Sequence, residues 1–211
     1  MTKFTLSLFL LSFSLFSCSQ ESETKKEELL QQPTANDTIV LGGGCYWCVE
    51  AVYERLDGVV EVVSGYSGGK TVNPSYEQVC TGKTGHAEVI RIAFDSTKTS
   101  ILEILKVFFT VHDPTTLNRQ GADVGTQYRS VILYRNSLQK SIAEELISVL
   151  NKEKVYPSKI VTEVSPLNTF YIAEDYHQNY YERNKEQGYC RLVIQAKIEK
   201  FEKVFGDRMK N

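Results

Sequence analysis

Cysteine is scarce in this sequence: 211 residues contain five, an odd number. That is too few to staple a domain of this length, so a disulfide scaffold is excluded. Net charge is also small, at −2. Nucleic-acid binders usually carry a basic excess, and no nucleic-acid partner is expected here. There is no internal repeat. What remains is ordinary for a globular protein, with 42% hydrophobic and 24% charged residues. The length suits one domain with a real core, plus a tail.

A long apolar run occurs only at the start. Lys3 precedes Phe4 to Phe16, and polar sequence follows at once. The run is too short for a spanning helix and reads as a targeting segment. Leu15-Phe16-Ser17-Cys18 is similar to a bacterial lipobox, in which the cysteine becomes the lipid-modified first residue after cleavage. An ordinary signal peptide cut near Ser17 is the alternative. The expected layout is a lipoprotein-type signal peptide over 1–18, a flexible polar tether over 19–37 and a catalytic domain over 38–206. Lipid on Cys18 would hold a soluble domain at a membrane without spanning it. The expected location is the cell envelope, lipid-anchored by Cys18 or else secreted or periplasmic, and the expected state is a monomer.

Within the domain, strand and helix signals alternate. Thr38–Leu41 reads as a strand and Cys45–Leu56 as a helix with Val49, Val52, Tyr53 and Leu56 on one face. Val59–Tyr66 is β-rich. Pro74 and Ser75 suit the entry to a short helix, Tyr76 to Cys80. Ala87–Phe94 alternates, with Ile90, Ile92 and Phe94 on one face. Ser100 can cap a helix over Ile101–Val111. A long loop, His112 to Gly125, leads to a strand over Tyr128–Tyr134 and a helix over Leu138–Asn151. A strand over Ile160–Val164, a helix over Ala173–Asn184 and a terminal helical segment complete the pattern. It predicts an α/β (α+β) two-layer sandwich with a mixed sheet and a ferredoxin-like split βαβ core. Long ordered loops tend to be functional, which marks His112–Gly125.

The stretch Gly42-Gly43-Gly44-Cys45-Tyr46-Trp47-Cys48 joins the first strand to the first helix. That junction sets Cys45 among unpaired N–H groups at the positive end of a helix dipole, which favours thiolate. Cys45 is therefore a candidate nucleophile, set against burial as a small hydrophobe.

Four blocks of this sequence resemble those of peptide methionine sulfoxide reductases of the A type. They are Gly44-Cys45-Tyr46-Trp47, then Asn73 to Glu88, then His112 to Ser130, then Ala173-Glu174-Asp175-Tyr176-His177-Gln178 through Gly188-Tyr189-Cys190. Together they run from about Ile39 to Cys190. The resemblance implies reduction of methionine S-sulfoxide, in proteins, peptides and the free amino acid. Cys45 would attack the sulfoxide sulfur and become a sulfenic acid. Tyr46 and Trp47 would hold the S-methyl group, although Tyr46 departs from the family's Phe and adds a hydroxyl that needs a partner. Glu88 would donate the proton that lets oxygen leave, its pKa raised in an apolar pocket. Tyr76 and Tyr128 would hydrogen-bond that oxygen, and Asp123 would help position the site. Core packing for the rings, a strand edge for Glu88 and a turn for Asp123 are the alternatives. Cys190 is the expected resolving thiol, with Cys48 its competitor because no second C-terminal cysteine follows. Cys80 reads as structural, and His86, His112 and His177 as scaffold. No bound cofactor and no metal are expected; an external thioredoxin-like or dithiol reductant is.

Two rivals share these residues. A thioredoxin-like oxidoreductase also places Cys-x-x-Cys between strand and helix, but it needs folded elements before the motif and a Pro directly before a strand. A structural zinc site could draw on Cys45, Cys48, Cys80 and a His or Cys190, although these are far apart in sequence.

Overall fold

Ile39, Val40 and Leu41 are wholly buried on both faces of strand β1 (Asp37–Gly43), as only a central strand can be. The structure is a computed structural model and describes residues 37–210. From β1 the chain enters helix α1 (Tyr46–Tyr53), then β2 (Val59–Ser67), α2 (Tyr76–Cys80), β3 (Ala87–Phe94) and α3 (Ile101–Val111). A small hairpin, β4 (Arg119–Gln120) and β5 (Asp123–Val124), precedes a 3-10 turn at Thr126–Tyr128. Then come β6 (Ser130–Tyr134), α4 (Ser137–Lys152), β7 (Glu163–Pro166) and β8 (Phe170–Ile172). A 3-10 turn at Asp175–His177, α5 (Tyr180–Arg183), a wide π turn at Cys190–Ile194 and α6 (Gln195–Phe205) finish the chain.

The main sheet has the order β7-β6-β1-β3-β2-β8. β3 lies antiparallel between β1 and β2, and β1 lies antiparallel between β3 and β6. Each βαβ unit is thus split by a strand of the other, which is the ferredoxin-like core. β8 adds antiparallel to β2, and β7 adds parallel to β6, which makes the sheet mixed.

β7 and β8 sit at opposite edges, yet only residues 167–169 join them. Four Cα steps cover about 14 Å at most. Five strand spacings of a flat sheet would span about 24 Å. The sheet must therefore curl. Leu167 and Phe170 close over Val40, Ala87, Val89, Val131 and Leu133 on one face. On the other face Ile39, Leu41, Ile90, Ile92 and Ile132 pack under the helices. Each such wholly buried aliphatic side chain contributes about 1.5–3 kcal/mol.

Local signals explain the helix starts. Ser100 Oγ accepts from Glu103 N at 3.2 Å while Glu103 Oε2 accepts from Ser100 N at 3.0 Å. Ser75 and Gln78 form the same reciprocal pair at the head of α2.

The structure also corrects the sequence reading. Tyr128 belongs to a 3-10 turn and not to a strand, because Gly125 turns the chain there at φ +152°. β7 begins three residues later than expected, at Glu163. The helix expected over Ala173–Asn184 is broken: Ala173 N bonds Ser64 O in extended form, and Asn179 is left-handed. Strand β8 was not anticipated. The long loop is ordered by the β4–β5 hairpin. Asp37 belongs to β1, and the fold continues beyond 206, with Met209 bridged to Leu56. The leader over 1–18, Cys18 and the tether, apart from Asp37, lie outside the described residues.

Candidate active site

Gly44 makes the turn into α1 with φ +95°, and a Cβ there would lie 2.6 Å from Gln120 Cγ. Only glycine suits both demands. Through that contact the long loop lies over the start of α1. Cys45 is the N-cap and makes no side-chain cap bond, so the first-turn N–H groups are free for other partners. Tyr46 N–H donates to Glu88 Oε2 at 3.2 Å. Trp47 N–H faces the Cys45 sulfur and favours its ionised form.

Burial works against the thiolate expected at Cys45. Cys45 keeps 6% of its surface, and burial pushes its thiol well above the ordinary range. Cys48 and Glu88 push the same way, and one backbone N–H does not offset them. Cys48, with no exposed surface, is drawn down to about 7. The hydrogen bond from Cys45 does most of this against the cost of burial, helped by Lys197 and by the Tyr189 hydroxyl, 3.6 Å from Cys48 Sγ. Burial thus disfavours charge on Cys45, while the contact with Cys45 favours it on Cys48.

Glu88 is 2% exposed on interior strand β3, directly opposite Tyr66 of β2. Burial pushes its carboxyl up to about 8; Asp123 and Cys48 add to this, and the Tyr46 N–H opposes it. The acid is therefore protonated at neutral pH. Tyr76 and Tyr128 are half-buried, and both hydroxyls are held above their ordinary range, first by burial. Tyr76 also hydrogen-bonds Cys80 and feels Glu88 and Tyr128; Tyr128 feels Glu88 and Cys45. The structure thus brings residues 45, 76, 88 and 128 together.

Rings form the adjoining wall. Trp47 stacks on Tyr180 with centroids 3.6 Å apart and planes 6° apart. Its indole N–H donates to His177 Nδ1 at 3.2 Å. His177 lies among the rings of Tyr46, Tyr76 and Tyr176, and its Nε2 is buried without a hydrogen-bond partner. The additional hydroxyl of Tyr46 meets Tyr66 Oη at 3.3 Å, and Tyr66 donates to Glu174 Oε2 at 2.8 Å.

Asp123 accepts from Tyr189 Oη at 2.8 Å and so reaches the sulfurs through that ring. Cys190 is wholly buried, and burial first, then the nearby charge of Cys48, raises its thiol. Cys80 is exposed. Among the described residues no three of His, Cys, Asp and Glu converge to hold a metal ion, so the ligands of the zinc reading do not meet. The wide surface recess lined by Asn151, Tyr156 and Lys159 shares no residue with this cluster.

Sequence reading missed Glu50, Tyr66, Glu174, Tyr180 and Tyr189. Glu50 stood out as an acid within the apolar run of α1, Glu174 and Tyr189 lay inside the last motif block, and Tyr66 and Tyr180 left no signal.

A soft sulfur nucleophile facing a neutral acid is the chemistry of thiol-dependent reductases. The comparisons narrow that class. A family model for peptide methionine sulfoxide reductase matches residues 37–209. The chain is 58% identical over 174 residues to the peptide methionine sulfoxide reductase MsrA of Saccharolobus solfataricus, covering 82% of this chain and 97% of the relative. Identity to that of Trichodesmium erythraeum is 54% over 173 residues, covering 82% and 98%. Among solved structures, reduced Mxr1 from Saccharomyces cerevisiae matches with a TM-score of 0.68 at 32% identity, over 75% of this chain and 91% of that one. Methionine sulfoxide reductase A of Corynebacterium diphtheriae matches at 0.63 and 37%, over 73% and 77%. The chain belongs to the peptide methionine sulfoxide reductase family, and within it to the A type. Its enzyme class is peptide-methionine (S)-S-oxide reductase.

Proposed function

We propose that this enzyme reduces the S-sulfoxide of methionine in proteins, peptides and the free amino acid, with Cys45 as nucleophile and Glu88 as proton donor. The observation that carries this reading is the neutral Glu88 carboxyl, held by the N–H of the residue after Cys45. Cys45 sulfur attacks the sulfoxide sulfur while its proton passes to the Cys48 thiolate. Glu88 protonates the departing oxygen, with Tyr76 and Tyr128 donating to it. The methionine S–O bond breaks as the oxygen, now carrying the Glu88 proton, is transferred to the Cys45 sulfur; methionine leaves as the thioether and Cys45 is left as a sulfenic acid. Tyr46 and Trp47 hold the methyl group, and Asp123 acts through Tyr189.

Cys48 then condenses with the sulfenic acid, releasing water and forming a Cys45–Cys48 disulfide. Its contact with Cys45 supports Cys48 over Cys190 for this step. Cys190, whose neighbouring thiol is Cys48, attacks that sulfur next and frees Cys45. A thioredoxin-like or dithiol donor reduces the final disulfide. The domain works as a monomer at the cell envelope, tethered through lipid on Cys18.

Separate assays on the two sulfoxide diastereomers test the reading. Turnover of the S epimer with the R epimer untouched is expected; equal rates overturn it.

A further inference from the structure

Glu50 is a buried acid that the reaction does not use. It lies on α1 at 1% exposure, five residues after Cys45. Its Oε1 accepts from Ser64 Oγ at 3.1 Å, and its Oε2 accepts from Tyr180 N at 3.3 Å. The N–H of Asn179 also faces it. Burial pushes the Glu50 carboxyl up to about 7, and the Asn179 N–H, the Ser64 hydroxyl and the Tyr180 N–H pull it back, so three donors converge on one buried acid.

Those partners matter because of where the chain is at Asn179. Asn179 is left-handed, at φ 52° and ψ 36°, and offers α5 no side-chain cap. Asn tolerates this region better than other side-chain-bearing residues, so Asn179 can make the sharp turn while Glu50 and Gln178 fix where it leads. The next residue, Tyr180, carries the ring that lies flat on Trp47. Gln178 ties the same segment to β2, with Oε1 accepting from Ser64 N at 2.9 Å and Nε2 donating to Ser64 O at 3.0 Å. Ser64 is thus the anchor on the sheet, and Glu50 the link from that anchor to the ring.

We propose that Glu50 is a positioning residue for substrate binding: its carboxyl group fixes the Asn179–Tyr180 backbone and so holds the Tyr180 ring stacked on Trp47. This rests on the reading of Trp47 as the wall that meets the substrate methyl group. Glu50 reaches the substrate only through Tyr180, so it governs binding more than chemistry.

The test compares Glu50→Gln, Tyr180→Leu and the double variant, using N-acetyl-methionine S-sulfoxide and dithiothreitol. An amide leaves one acceptor oxygen for the three donors, and its NH2 must face one of them, which forces the Ser64 hydroxyl or a backbone N–H to give up its present bond. Glu50→Gln is expected to raise KM about tenfold with kcat changed less than about threefold. Trp47 is the single tryptophan, so its emission should shift as the stack loosens. On the Tyr180→Leu background Glu50→Gln should add less than about twofold to KM. Wild-type KM and emission in Glu50→Gln, a loss confined to kcat, or additive effects in the double variant would each overturn the proposal. If Glu50→Gln does not fold, Glu50→Asp decides, since its shorter carboxylate reaches fewer of the three donors. A KM rise of at least about threefold with the emission shift supports the proposal, and wild-type values overturn it. An inactive wild type would instead sink the reductase reading, so the two failures are distinguishable.

Discussion

The backbone N–H of Tyr46 donates to Glu88 Oε2 at 3.2 Å, joining the first turn of α1 to the middle of the sheet. One hydrogen bond thereby fixes Glu88, the proposed proton donor, relative to Cys45, the proposed nucleophile. It also favours the ionised acid, but burial outweighs it, and the acid stays neutral.

That balance sets a pH profile. The Cys45–Cys48 pair gains its anion near 7, and Glu88 loses its proton near 8. The expected kcat/KM is bell-shaped, with its maximum between those values. Cys48→Ser should shift the acid limb to higher pH, because burial then holds Cys45 up without a partner to take its proton. An acid limb unmoved in Cys48→Ser removes Cys48 from the activation step.

Glu88→Gln should slow single-turnover methionine formation about 10²–10⁴-fold. It should also stabilise the fold at alkaline pH. Glu88 is raised from 4.5 to about 8, so the unfolded chain releases a proton that the folded chain keeps across that interval. Wild-type stability therefore falls as pH rises through it. The variant should match wild type at low pH and exceed it above pH 8 by a few kcal/mol, at about 1.4 kcal/mol per pK unit. Denaturant midpoints at two pH values decide; equal midpoints at both would contradict the buried neutral acid.

Cys45→Ser should abolish turnover. Cys190→Ser should still form the Cys45–Cys48 disulfide after one stoichiometric turnover, and Cys48→Ser should not. Mass spectrometry of the trapped products reads this directly. A first disulfide between Cys45 and Cys190 in wild type would reverse the order proposed for the two thiols.

Tyr46→Phe removes a hydroxyl paired with Tyr66, while Tyr66 keeps its bond to Glu174. The expected cost is about 1 kcal/mol of stability, with kcat/KM within about threefold of wild type. A large loss of kcat would give the hydroxyl a part in the chemistry.

Much of the local structure was legible in the chain. Ser75 and Ser100 announce helices because capping needs only neighbours. Alternation in Ala87–Phe94 put Glu88 on the face of Ile90, Ile92 and Phe94. Where the sequence reading failed, distant contacts had overridden local preference. Residues 173–180 carry helical residue types, but Gln178 and Glu50 bind them to Ser64 on β2 and bend the backbone at Asn179. Tyr128 stands after a glycine whose φ no strand allows.

The four motif blocks, most of the element types and the candidate reacting groups were written in the residues themselves. Their protonation was not. Whether Cys45 or Cys48 bears the charge, and whether Glu88 holds a proton, depends on burial, on the charges of Asp123 and Lys197 and on the hydroxyl of Tyr189 brought close by the fold. Desolvation and Coulomb forces act through space, and only the folded sheet with its helices sets those distances.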